Sequence, residues 1–186
     1  MKQITIYIIL ILLFSCKEDD WRDNLNLGEI PLEIKKTHET LYKHQKENYI
    51  INNSSKTKEE AIVKYIQSMA SHKNYSKYIF SKEEYIEIYL PNTIGYGTLL
   101  DTTYLDNYIE ILLNRKEIAQ DQLLSLVKDK KVTVERIEWS SSKPYRAIEG
   151  WKPKIFVTIN KQPYTIDNIK QVVGHNGQFK VAIIAP

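Results

Sequence analysis

Cysteine is almost absent from this chain: Cys16 is the only one among 186 residues. One thiol excludes an internal disulfide, so the fold must be held by packing. Histidine is also sparse. His38, His44, His72 and His175 are scattered, with no His-Glu-x-x-His or other close ligand spacing. A zinc site needs three or four convergent ligands, so neither a metal nor a cofactor is expected. Glycine numbers six. Its densest pair, Gly95-Tyr96-Gly97, follows a helical pattern rather than a strand and lacks both a third glycine and a Gly-Lys-Ser/Thr, which argues against a phosphate loop. No Gly-x-Ser-x-Gly elbow is present for a serine hydrolase, and no residue stands out as catalytic. Charge of one sign is missing as well. Lysine and arginine total 26 against 23 acids, a net +3, with the two signs interspersed. A nucleic-acid binder needs a concentrated basic face, so nucleic acid is not an expected partner. The longest apolar run, Ile4 to Phe14, falls short of the roughly 20 residues that span a ~30 Å hydrocarbon core.

That run nevertheless has a meaning. Lys2 precedes it, Leu13-Phe14-Ser15-Cys16 follows, and Lys17-Glu18-Asp19-Asp20 comes directly after. A cationic start, an apolar stretch of about 7–15 residues and a small residue before a cut describe a secretory signal. With its cysteine after Ser15, the segment resembles a bacterial lipoprotein signal with its lipobox. The resemblance implies removal of residues 1–15, acylation of Cys16 and attachment to a membrane. Two or three acyl chains hold a protein far more firmly than one, at ~0.8 kcal/mol per buried CH₂. Lys17, Glu18, Asp19 and Asp20 are similar to the Lys-acidic signal that sends Bacteroidota lipoproteins to the cell surface, which implies an outer-membrane location facing outward. A solvated tether on the periplasmic leaflet is the alternative reading of the same charges.

Residues 16–30 read as an acylated cysteine and a flexible tether in which Trp21 could dock. Residues 31–186 have the length of one domain. Thirteen tyrosines supply apolar area with a polar end that needs a partner. After Pro31, the spacing of Ile34, His38, Leu41, Tyr42, Gln45 and Tyr49 predicts a helix to about Ile51. Thr57-x-x-Glu60 and Ser81-x-x-Glu84 are capping boxes. The first opens a helix with Ala61, Ile62, Tyr65, Ile66 and Met69 inward; the second opens a shorter one, stopped by Pro91. A long helix capped by Asp101, Thr102 or Thr103 should carry Leu105, Tyr108, Ile109, Leu112, Ile118, Leu123 and Leu126, with a break near Gln120-Asp121.

From Lys131 the pattern changes to alternation. Val132 and Val134 fall out of phase with Ile137 and Trp139, which predicts a bulge near Glu135-Arg136. Three more strands follow: Lys154 to Asn160, Tyr164 to Val173, and Gln178 to Ile184. Asn160-Lys161 reads as a tight turn with lysine where glycine is preferred, and Asn176-Gly177 is a strong hairpin signal. His175, just before that turn, is expected to be exposed. Helices followed by a four-stranded antiparallel meander make an α+β fold, with the helices packed on one face of the sheet. The final strands resemble those of cystatin-like and NTF2-like folds.

Chemistry is expected from surface aromatics. Tyr96 in the glycine loop, and Trp139, Tyr145 and Trp151 around the first strand connection, form a candidate binding surface, because such rings give large contact area at low entropic cost. These readings favour a surface-exposed lipoprotein acting as a non-catalytic binding or accessory module for a protein or glycan. A lipid-anchored inhibitor or immunity-type protein is one alternative. A small enzyme with an NTF2-like pocket is another, and it would need polar groups converging in an apolar cavity.

Overall fold

The structure is a computed structural model that describes residues 31–186. Cys16, the charged residues 17–20 and Trp21 lie outside the described residues. The architecture is α+β: helices first, then an antiparallel sheet.

Helix α1 spans Leu32–Lys43, shorter than its periodicity predicts. The following segment is drawn to the sheet instead, where the Tyr49 amide donates to His175 Nε2 at 3.1 Å and the Ile51 amide to Gln178 Oε1 at 2.9 Å. Helix α2, Lys58–Ala70, buries the predicted face. Thr57 Oγ1 accepts from the Glu60 amide as expected, but the Glu60 carboxylate reaches back to the amide of Lys56. The Ser81–Glu84 box closes with both arms, at 2.9 and 3.2 Å. It opens α3, Lys82–Glu84, which continues through a π-turn, Tyr85–Tyr89, into α4, Leu90–Thr93. Pro91 therefore does not stop this helix. A proline ring would press on the carbonyl four residues back in a regular α-helix, and the π-turn, closed by Leu90 N–H to Tyr85 O, opens the ladder just there.

Helix α5, Leu105–Val127, runs without a break. Its buried stripe is Ile109, Ala119, Leu123 and Val127. Ile118, one position off the Ala119 row, is 51% exposed rather than inward.

Five strands follow: β1 Val132–Pro144, β2 Glu149–Ile159, β3 Gln162–Ile166, β4 Ile169–His175 and β5 Gln178–Ile184. The main order is β1-β2-β4-β5, and β3 pairs with the other end of the β2 edge that β4 uses. The predicted single strand from Tyr164 to Val173 is thus broken at Asp167-Asn168. Ile166 and Ile169 both enter the same core; residues three apart on a continuous strand face opposite ways, so the chain must turn between them. The predicted bulge is present at Glu135, and a second occurs at Ser140.

The sheet carries two cores. Ile155, Val157, Val172 and Val181 pack under α2 and the last half of α5. Val173 and Ala182, pointing the other way, pack with Leu41, Phe80, Tyr85, Leu90 and Ile109. Strands β4 and β5 are consequently covered on both faces, not on one. The outer edge of β5 is closed by Ser55, whose amide and carbonyl bond Phe179 at 2.7 and 2.9 Å, and by the Phe80 amide on Val181 O. Among the described residues no helix is long and apolar enough to cross a membrane.

Candidate functional site

The four aromatics singled out in the sequence separate into two pairs, each organised around a lysine. Bulged strand β1 and long strand β2 place Trp139 and Trp151 on the face that α2 covers. Lys58, the first residue of α2, sits with Nζ 4.6 Å from the Trp139 ring centre and 5.3 Å from that of Trp151. Such contacts are worth about 0.5–1 kcal/mol at exposed sites. Trp139 Nε1 donates to Glu59 Oε1 at 2.8 Å. The helix start thus fixes one indole by hydrogen bond and approaches both through a cation.

Trp151 also stacks against Phe179, with centroids 5.5 Å apart and planes tilted by 55°. The floor beneath them is Gly174. A Cβ there would lie 2.7 Å from the Trp151 ring and 2.6 Å from that of Phe179, so the aromatic wall requires glycine. The wall borders a cleft of about 310 Å³ whose polar lining includes Arg146, Glu149, His175 and Asn176.

His175 is buried, contrary to the sequence expectation. Its Nδ1 lies 2.6 Å from the carbonyl oxygen of Ala147, which can only accept, and its Nε2 receives the Tyr49 amide. The imidazole is therefore held as the Nδ1–H tautomer. It ties the segment after α1 to the end of the sheet, and its position at a hairpin end hid this role.

The second pair lies on the opposite face. Tyr96 and Tyr145 meet edge to face at 5.3 Å, and Lys143 Nζ stands 5.7 and 5.4 Å from their centres while donating to Tyr96 O at 3.2 Å. Tyr145 Oη accepts from Gln171 Nε2, and Gln171 Oε1 accepts from Tyr89 Oη. The loop bearing Tyr96 needs its glycines, with φ of 82° at Gly95 and 70° at Gly97. Asp101 does not cap α5. Its carboxylate accepts from the amides of Gly95 and Thr98 at 2.7 and 2.9 Å and closes this loop.

Sequence reasoning missed Lys58 and a third feature, the buried pair of Lys180 and Glu84. The signal was present: Lys180 interrupts an otherwise apolar strand, and a lysine there needs a buried partner. The pair lies at the base of a cleft of about 380 Å³ bordered by Asn52, Ser81, Glu83 and Glu87. Burial holds the Lys116 ammonium below the ordinary lysine range, and it donates to Phe80 O at 2.6 Å. Among the described residues no group of three or more His, Cys, Asp or Glu is placed to hold a metal ion.

Comparison with family models, with curated proteins and with solved structures returned no match for this chain. Function must therefore be read from these sites themselves.

Proposed function

We propose that this protein is a lipid-anchored outer-membrane lipoprotein, facing the cell exterior, that binds a protein or glycan partner without chemical conversion. The anchor and address rest on Cys16 and the Lys17–Asp20 cluster in the sequence. The binding reading rests on one observation: Trp151 lies half-exposed against Phe179, over a glycine floor, beside a cleft with Arg146 and Glu149 at its side. A rigid aromatic platform flanked by a cation and a carboxylate is suited to recognition, since it offers area at small entropic cost and polar groups that select the partner.

Protease shaving of intact cells tests the address. Cleavage of the wild type and shielding of a Lys17/Glu18/Asp19→Ala variant are expected; shielding of both removes the surface reading. A glycan array probed with wild type and Trp151→Ala tests the platform. Signals that fade with Trp151→Ala support it, and signals unchanged by that substitution would move the binding elsewhere on the molecule.

A further inference from the structure

The charges that look interspersed along the sequence are sorted by the strands. With Val134, Ile137, Trp139, Ile155 and Val157 turned toward the first core, the alternate positions of β1 and β2 face the other way. Register puts Arg136 opposite Phe156, Glu138 opposite Lys154, Ser141 opposite Lys152 and Lys143 opposite Gly150. One face thus gathers four cations against two acids: Glu138, which is already paired with Arg136 at 2.9 Å, and Glu135, the bulge residue that follows core-facing Val134. Successive same-face residues on a strand are about 7 Å apart, so Lys152 and Lys154 form a regular cationic row.

This row leads to a cleft of about 440 Å³ at the far end of the two strands, lined by Lys131, Thr133, Thr158, Asn160 and Lys161. The turn that supplies Asn160 and Lys161 has φ of 49° and 70°. Such a turn prefers glycine at its second position, and a lysine side chain is strained in this left-handed conformation. Strain retained at a charged residue on the mouth of a cleft suits a functional role for that charge.

We infer that the exposed face of β1 and β2, ending in the Lys131–Lys161 cleft, binds an extended anionic polysaccharide, one carrying carboxylate or sulfate groups. Charge complementarity selects a polyanion. The threonine hydroxyls and the Asn160 carboxamide match sugar hydroxyls. A bilayer is disfavoured because Phe156, the face's large apolar residue, is half-buried and flanked by Arg136 at 4.4 Å and Lys154 at 5.3 Å from its centre, leaving no apolar side chain to insert. The same two cations occupy the ring on which a nucleic-acid base would stack. This inference goes beyond the aromatic platform of the proposed function: it adds a second contact, for a named glycan class, on the face opposite Trp151.

The test uses the purified full chain, with dextran sulfate and polygalacturonate as probes and neutral dextran as control. Binding to both polyanions, weakening as salt rises from about 0.05 M to about 0.5 M as screening shortens, is expected, with none to neutral dextran. Lys161→Gly is the decisive variant because it relieves the turn while deleting the charge. It should lower affinity roughly tenfold, the effect of one charge-assisted hydrogen bond, while the melting temperature stays level or rises. Lys131→Gln with Lys161→Gly should abolish binding. Undiminished affinity in Lys161→Gly, equal binding to neutral dextran, or stronger binding to anionic lipid vesicles or single-stranded DNA than to the polysaccharides would overturn the inference. Loss of binding in Trp151→Ala but not in the lysine variants would overturn this face alone and leave the aromatic platform standing. Retention of polyanion binding by a protein shielded on intact cells would instead sink the outward address.

Discussion

Lys180 Nζ lies 2.9 and 2.8 Å from the two carboxylate oxygens of Glu84, and both side chains are almost fully removed from solvent. The ammonium spends its third proton on Asn52 O at 2.8 Å, and Glu84 Oε2 also accepts the Ser81 amide. One ion pair thereby joins β5, the start of α3 and the loop after α1. Because each is the other's salt-bridge partner in the interior, removing one leaves the other buried without its counter-charge. Lys180→Met should lower the unfolding free energy by about 3–5 kcal/mol. Adding Glu84→Gln to it should restore a large part, since the stranded charge is then gone. Urea unfolding at unchanged m-value measures both; a double variant no better than Lys180→Met would show that the cost lies in packing and not in charge.

Gly174→Ala tests the floor of the aromatic cleft. The new methyl would meet Trp151 and Phe179 within 2.7 Å, and both are ring atoms of large, packed side chains. A loss of about 1–3 kcal/mol, typical of overpacking, is expected together with displacement of Trp151. In a Trp21→Phe/Trp139→Phe background, where Trp151 is the sole indole, its emission should shift to longer wavelength. An unshifted spectrum with unchanged stability would mean that the wall gives way easily and is no rigid platform.

The sequence made some of this legible and hid the rest for physical reasons. Ser81 and Glu84 were readable as a capping box because that interaction is local in the chain. The Glu135 bulge was readable because it reverses an alternation. The break between Ile166 and Ile169 is not legible in the sequence, since their odd spacing matters only once both are known to enter one core. The end of α1 was set by amide bonds from Tyr49 and Ile51 to His175 and Gln178, more than a hundred residues away. Trp139 and Trp151 were visible as candidates, but Lys58 between them was not, because it comes from a helix whose position only the fold decides. The cationic face was hidden for the same reason. Charges that alternate with apolar residues look balanced along the chain, yet pairing of β1 with β2 collects more cations than acids on one face.

His175→Phe keeps a ring of similar shape and deletes both ring nitrogens. The Tyr49 amide then loses its acceptor and Ala147 O its donor. Leaving such groups buried and unpaired costs about 1–3 kcal/mol. Hydrogen exchange is the sharper readout. The Tyr49 amide should lose protection in the variant while the core of β5, for example Lys180 opposite Val173, exchanges as slowly as before relative to global unfolding. Equal protection at Tyr49 would show that the segment after α1 is held by packing alone.

Alkaline pH should act through the buried tyrosines. Tyr65, Tyr85 and Tyr89 have their hydroxyls pushed well above the ordinary phenol range, in each case first by burial, which disfavours the phenolate. Tyr85 Oη donates to Ala182 O, and Tyr89 Oη to Gln171 Oε1 at 2.9 Å, so ionisation would also remove a donor. The sign follows from linkage. The unfolded chain releases these protons near pH 10, while the folded chain keeps them to higher pH. Their stabilisation is therefore fully present below about pH 10 and is lost as pH rises toward the raised folded values. Tyrosine ionisation followed by near-ultraviolet absorbance should give two phases, the second a cooperative one that belongs to the buried rings and coincides with loss of far-ultraviolet circular dichroism. Tyr85→Phe should shrink the second phase and move unfolding to higher pH, once its neutral-pH stability is matched with wild type by added urea. Ionisation of Tyr65, Tyr85 and Tyr89 in a single smooth phase near pH 10, with the fold intact, would contradict the buried placement of these rings.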